Sequence, residues 1–517
     1  MKKLLGVVVM LLLATAGLTQ YDYRLHTRPL PPTRDILDRL SLTKVWGLRI
    51  PVLGQRDGLY SVQLIPTKDQ MQLVVQTLSG AVIMMDAETG DTLWRTTVGE
   101  PFWQAQAVGY NSSSIFTTRR DNLYVLNRAN GKQRVYTLDK LTERPTYGFT
   151  LQHAPSAKPV ADEENIYFCL ENRVTAYEIP DWSLIDRTAK EEGAPKTDSL
   201  QPELAWTYLS PDLHFERPLL WTSSQIGVVS TDGTFLSINK FKETPFESRV
   251  RPDYQFHGHV SAGMGQHGDI AYIGSEDATL YALNMINGRL LWRFLSGTPI
   301  LRQPAVIDGD VFVTTSRSRG MFRVNQDTGR EVWQNRDAEQ FLAANKKFVY
   351  ATDRRGQILV MDLARGTTMA RYDMSEYLLP VTNEWTDRIY FANHDGQILC
   401  LRHRDQVQPL RNKSLEIKKK PPKEKKPPEP KDKKEPEKEK EKEKEKEKDA
   451  RGFDLHRLQI ADRRLHIDMP CLAAVRRTAR LSEPPLTEQY ALWDRRSLNL
   501  QSAICNLQSK LRCFPGA

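Results

Sequence analysis

Cysteine is scarce in this chain. Five residues in 517 are cysteine (Cys169, Cys400, Cys471, Cys505 and Cys513), with no Cys-x-x-Cys, no haem-attachment Cys-x-x-Cys-His and no adjacent pair. That spacing argues against a disulfide framework, even in an oxidising compartment. Cys169 and Cys400 fall inside apolar, strand-like runs, which predicts buried free thiols. Long apolar runs are also missing. The longest, Leu4 to Leu13, is well short of the roughly 20 residues that span a bilayer, so no transmembrane span is expected. It follows Lys2 and Lys3 and precedes Ala14-Thr15-Ala16, the pattern of a secretory signal peptide over residues 1–16. An uncleaved anchor is the alternative. No cysteine follows the run, so a bacterial lipid-attachment site is absent. An exported protein is expected, in the periplasm, cell envelope or extracellular space.

An excess of one charge is missing from most of the chain. The formal net charge is +9, yet the first 410 residues hold 45 basic against 46 acidic side chains. The basicity lies in the last hundred residues, which excludes a nucleic-acid interface built on a basic folded surface. Helical periodicity is lacking between residues 42 and 403. So are Gly-x-Ser-x-Gly, a phosphate-binding loop, His-Glu-x-x-His and a dinucleotide fingerprint.

What is present is short β-branched and aromatic runs, each followed by turn residues: "MQLVVQT", "NIYFCL", "DIAYIGS", "DVFVTTS", "KFVYATD". This is the signature of an all-β chain. The runs repeat. Gly80, Asn122, Asn172, Gly233, Ala278, Gly320, Gly356 and Gly396 mark equivalent points, 36 to 61 residues apart. A period near 40 with four short strands per unit predicts a β-propeller of eight four-stranded blades, seven being the alternative. In "LYALN", alternate side chains face opposite sides of a blade. Leu280 and Ala282 are expected against one neighbour, Tyr281 and Leu283 against the other. The turn that follows needs a left-handed residue, supplied by Gly90, Gly131, Gly288, Gly329 or Gly366. Trp94, Trp292 and Trp333 come four residues after their glycines. A Trp there is expected to cover the seam between adjacent blades. A strand around "KVWGLRI" is expected to complete the last blade and remove the free sheet edges.

This pattern resembles the pyrroloquinoline-quinone-type propeller repeat with its tryptophan-docking motif, from about Trp46 to His403. The resemblance is weaker at 171–210 and 231–244, where no Gly-x-x-x-Trp follows the strand. Among such repeat proteins the chain looks most like the BamB-type outer-membrane-protein assembly factors, which are noncatalytic propellers. That likeness implies a scaffold for protein partners, including the barrel-assembly machinery, with no catalytic residue and no cofactor, and a monomer is expected. The alternatives are a quinone-dependent dehydrogenase and a propeller that binds an envelope glycan or peptide. Dehydrogenases of this type carry an adjacent cysteine pair beneath the quinone, and this chain has none.

Other features carry less. His257, His259 and His267 form a candidate metal set, because His-x-His in a strand puts both rings on one face. The bland reading of polar residues near the centre is favoured. Asp86, Asp91, Asp327 and Asp362 fall at turns and are accounted for by turn chemistry. "NSS" at Asn111 and "NKS" at Asn412 match a glycosylation pattern. Residues 17–41 are expected as an extended lead-in and 42–410 as the propeller. Residues 411–450 are so rich in Lys, Glu and Pro that a disordered spacer is expected. Residues 451–517 form a basic, unstructured tail of doubtful origin. A repetitive Lys-Glu tract implies a purine-rich gene segment prone to slippage, so an out-of-frame product is expected after about residue 449. Peptides detected from this region with an intact reading frame would refute that reading.

Overall fold

A computed structural model describes residues 29–413, except 54–55, 69, 139–144, 181, 183–198, 251–253 and 317–318. The expected signal peptide, the Lys-Glu spacer beyond Lys413 and the basic tail lie outside the described residues.

Eight antiparallel four-stranded sheets follow one another along the chain. Blade 1, from centre to rim, is Leu59–Pro66, Met71–Thr77, Ala81–Asp86 and Thr92–Thr97. Blades 2 to 7 repeat the order, opening on Gly109–Tyr110, Val160–Ala161, Leu220–Trp221, Gly265–His267, Ala305–Ile307 and Ala338–Ala344. Blade 8 takes three strands from the end, Leu379–Val381, Ile389–Ala392 and Gln397–His403. Its fourth is the N-terminal strand Leu42–Arg49, which pairs antiparallel with the third from Leu42↔His403 to Arg49↔Gln397. Closing the ring with both ends of the propeller joins its first and last blades through main-chain hydrogen bonds.

The core lies between blades. Buried apolar residues fall into eight clusters, each drawn mainly from two neighbouring blades. Blade 5 shows how alternation makes this happen. Leu280 and Ala282 pack with Val311 and Phe322 of blade 6, whereas Tyr281 and Leu283 pack with Val229 and Phe235 of blade 4. Both faces of a strand are buried, so the run reads as continuously apolar.

Five tryptophans bridge successive blades with the same hydrogen bond. Nε1 of Trp46, Trp94, Trp206, Trp292 and Trp333 donates to Ala87, Arg128, Lys240, Gln326 and Leu363 carbonyls at 2.8–3.1 Å. Gly90, Gly131, Gly329 and Gly366 each lie against the ring of the preceding blade's Trp. Gly288 has the same left-handed conformation, φ +67°.

Three local features depart from the sequence reading. The expected extended lead-in includes a helix, Arg34–Arg39, that buries Leu37 with Leu40 and Leu42 beside Tyr350 and Tyr377. Those apolar residues gain more from docking on blades 7 and 8 than from solvation. A small extra sheet joins Tyr136–Leu138, Pro145–Tyr147 and Ser199–Leu200, so insertions in blades 2 and 3 pair with each other. The packed chain also runs past residue 410 to Lys413, held by Asn412 Nδ2 donating to the Ala344 carbonyl at 2.6 Å.

Candidate functional site: the central funnel

The innermost strands end in tight turns, and in blades 2, 3, 4 and 8 the turn is built by the side chain at its start. Asn111 Oδ1 accepts from the Ser113 and Ser114 amides. Asp162 Oδ1 accepts from Glu164 and Asn165, Thr222 Oγ1 from Ser224 and Gln225, and Asn383 Oδ1 from Trp385 and Thr386. Such short polar side chains fold their own backbone into a turn. Repeated around the ring, these turns frame the mouth of a funnel on the propeller axis.

The funnel has a volume of about 770 Å³, within the range of small-molecule sites. Its wall takes residues from blades 1 to 6 and 8. Tyr110, Trp221 and Trp385 supply aromatic surface; Pro66, Leu220 and Met264 supply aliphatic surface; Gln63, Gln266 and Gln303 add amides.

Charges in this wall are mostly paired. Arg128 donates to the Gln72 side chain at 2.8 Å and to the Asn111 and Pro66 carbonyls at 2.8 and 2.9 Å, tying blade 1 to blade 2. Lys240 Nζ lies 2.7 Å from Asp162 Oδ2 and 5.8 Å from the Trp221 ring centre. Asp162 also accepts from the Tyr167 hydroxyl at 2.9 Å. Glu163 accepts from the Ser112 hydroxyl at 2.6 Å. Lys413 Nζ lies 3.0 Å from Glu384 and 5.3 Å from the Trp385 ring centre. Lys158 lines the same wall. Burial pulls its ammonium below the usual lysine range, and Glu384 opposes the shift. Burial pushes the Tyr110 phenol up to about 12, with Arg128 opposing. The funnel is therefore an aromatic-walled cavity suited to binding.

Of the three candidate histidines, His267 lines the funnel wall and His257 and His259 do not. His257 and His259 sit on an exposed bend instead of a strand, because Gly258 brings the backbone against Asp277. His259 Nδ1 lies 3.0 Å from the Thr231 carbonyl, and His267 Nε2 lies 3.0 Å from Asp308. Among the described residues no three His, Cys, Asp or Glu side chains form a metal-ligating group. Asn111 is buried and donates to the Asp162 carbonyl at 3.1 Å, and Asn412 is engaged with Ala344, so neither amide of the two glycosylation motifs is free. Asp86 and Asp362 do shape their turns. Trp103 lies in a loop beneath Arg120, 5.3 Å away. Cys169 and Cys400 are free and buried, and burial raises both thiols. Sequence reasoning missed Lys158, Tyr110 and Trp385. A signal was present in most blades, an Asn, Asp or Thr two or three residues before the second strand, as at Asn111, Asp162, Thr222, Asn345 and Thr386.

A second concavity lies between blades 6 and 7. Two of its four arginines are engaged with carboxylates, Arg371 with Asp337 at 3.1 Å and Arg354 with Glu339 at 3.9 Å.

The chain is 35% identical over 74 residues to an outer membrane protein assembly factor BamB from Shewanella oneidensis, covering 14% of this chain and 18% of the relative. It is 36% identical over 75 residues to the same factor from Yersinia pestis, covering 14% and 19%. The chain thus matches about a fifth of the length of these curated relatives. The crystal structure of BamB from Moraxella catarrhalis superposes with a TM-score of 0.50 at 14% identity, covering 70% of this chain and 97% of that one, a likeness of fold. The model of the family described as outer membrane protein assembly factor BamB matches residues 37–198 and 220–406, most of the propeller. This chain belongs to the outer membrane protein assembly factor BamB family.

Proposed function

We propose that this protein is a noncatalytic propeller scaffold of the cell envelope that binds protein partners during outer-membrane protein assembly. The observation that carries the reading is the family match across both halves of the ring. The relatives it resembles are named as assembly factors. A rigid closed ring that displays turns on two faces suits such work, because function in repeat folds sits in surface loops held by a regular frame. Export through residues 1–16 is part of the proposal, and a monomer is expected to act.

The test is crosslinking of the tagged chain in its own cells, with mass spectrometry of the captured proteins. Recovery of outer-membrane barrels or their insertion machinery is expected. A soluble envelope protein that captures neither would overturn the assembly role. Dye reduction that appears on adding pyrroloquinoline quinone and calcium would overturn the noncatalytic reading.

A further inference from the structure

Every wall carboxylate named above has a protein partner, and so do Arg128, Lys240 and Lys413. Lys68 is exposed at the rim. Lys158 is different. It is partly buried in the wall, and its ammonium makes no hydrogen bond or ion pair with any described residue. Drawing a cation out of water costs free energy unless an anion or hydrogen bond compensates it. Glu384 acts on it through its field without a hydrogen bond, and Lys158 lines a cavity that also contains Tyr110, Trp221 and Trp385.

We propose that the funnel binds an apolar organic carboxylate, its body against Tyr110, Trp221 and Trp385 and its anion on Lys158 Nζ. Aromatic walls remove the body from water, and the ammonium supplies a charge-assisted hydrogen bond. The cavity is large enough for a ligand of ordinary small-molecule size. Desolvation disfavours the Lys158 ammonium, and a bound carboxylate offsets that same cost. Uncharged ligands forgo this gain, so the site selects for the anion. The carboxylate has two sources, a free acid or the last residue of an extended polypeptide. The proposal stands on the funnel alone, whether or not the assembly reading does.

The experiment is calorimetric titration of the full chain with N-acetylphenylalanine, its uncharged amide, and a six-residue apolar peptide ending in a free phenylalanine carboxylate. The acid is expected to bind at least about tenfold more tightly than the amide, the usual loss for a hydrogen bond to a charged group. Lys158→Met and Lys158→Gln should each weaken acid binding by about the same factor. Lys68→Met at the rim should leave it nearly unchanged. Binding of the acid but not the peptide assigns a free acid as ligand; binding of both assigns a chain end. No binding of either carboxylate, equal binding of acid and amide, or full affinity in both folded Lys158 variants would overturn the proposal.

Discussion

Trp94 of blade 1 lies on the backbone of Gly131 in blade 2. A Cβ at Gly131 would come 2.5 Å from Trp94 Cε3, and Trp94 Nε1 donates to the Arg128 carbonyl at 2.8 Å. The glycine thus answers two demands at once. It adopts φ +70°, and it leaves room for the neighbouring blade's ring.

These two demands separate by mutation. Gly131→Ala meets both the left-handed backbone and the Trp94 ring. Gly309→Ala, at φ +86° with nothing within 4 Å of its Cβ, meets only the backbone cost. The expected loss is about 1 kcal/mol for Gly309→Ala and about 2–4 kcal/mol for Gly131→Ala. Unfolding midpoints by calorimetry will check it; equal losses would show that the ring contact carries no energy.

Trp206 should matter as much as the motif tryptophans. It follows no Gly-x-x-x-Trp pattern, yet it is buried and bonds Lys240 across the seam at 2.9 Å. Trp206→Ala and Trp94→Ala are each expected to cost about 3–5 kcal/mol. Trp206→Phe keeps most of the packing and should cost clearly less. Denaturant titration of the three variants reads this directly. A Trp206→Ala protein of wild-type stability would remove it from the set of blade staples.

The Asp162–Lys240 pair should behave as one unit. It is nearly buried and joins blade 3 to blade 4 at 2.7 Å. Removing one partner strands the other charge, so Lys240→Met or Asp162→Asn alone should cost about 3–5 kcal/mol. The double variant should lose less than the two single losses together. A double-mutant cycle by urea unfolding measures the coupling, and additive losses would contradict it.

Acid should loosen the segment that follows the last strand. His403 stacks on Phe348 with ring centres 5.1 Å apart, and its Nδ1 accepts from the Asp405 amide at 3.2 Å, a bond that needs the neutral ring. Burial lowers its pKa, Asp405 and Asp387 oppose this, and Arg404 and Lys347 add to it. The folded state therefore favours neutral histidine. That contribution is complete above the ordinary histidine value of about 6.5 and is lost as pH falls from there toward the lower folded value. Hydrogen exchange at residues 404–413, corrected for intrinsic rate, should speed up between pH 7 and pH 5. In His403→Gln this pH dependence should shrink; an unchanged dependence would locate the titration elsewhere.

The propeller was legible in the sequence because its determinants are local. A hairpin, its left-handed glycine and the returning Trp fit in fewer than twenty residues, and the period of about forty repeats them. Even ring closure could be read, since "KVWGLRI" carries the strand that the last blade lacks. Trp206 was hidden because an insertion separates it from the strand it follows. The strand assumed for His257 and His259 was not found, because alternation alone does not report that Gly258 packs closely on Asp277. The funnel was hidden for a broader reason. Tyr110, Lys158, Trp221 and Trp385 belong to four different blades and meet only when the ring closes. Sequence by itself determined the blade, because hydrogen bonding and side-chain alternation act between near neighbours. Tertiary structure alone decided which side chains line the funnel and which ammonium there lacks a hydrogen-bonded anion, because those depend on partners in other blades, tens to hundreds of residues away.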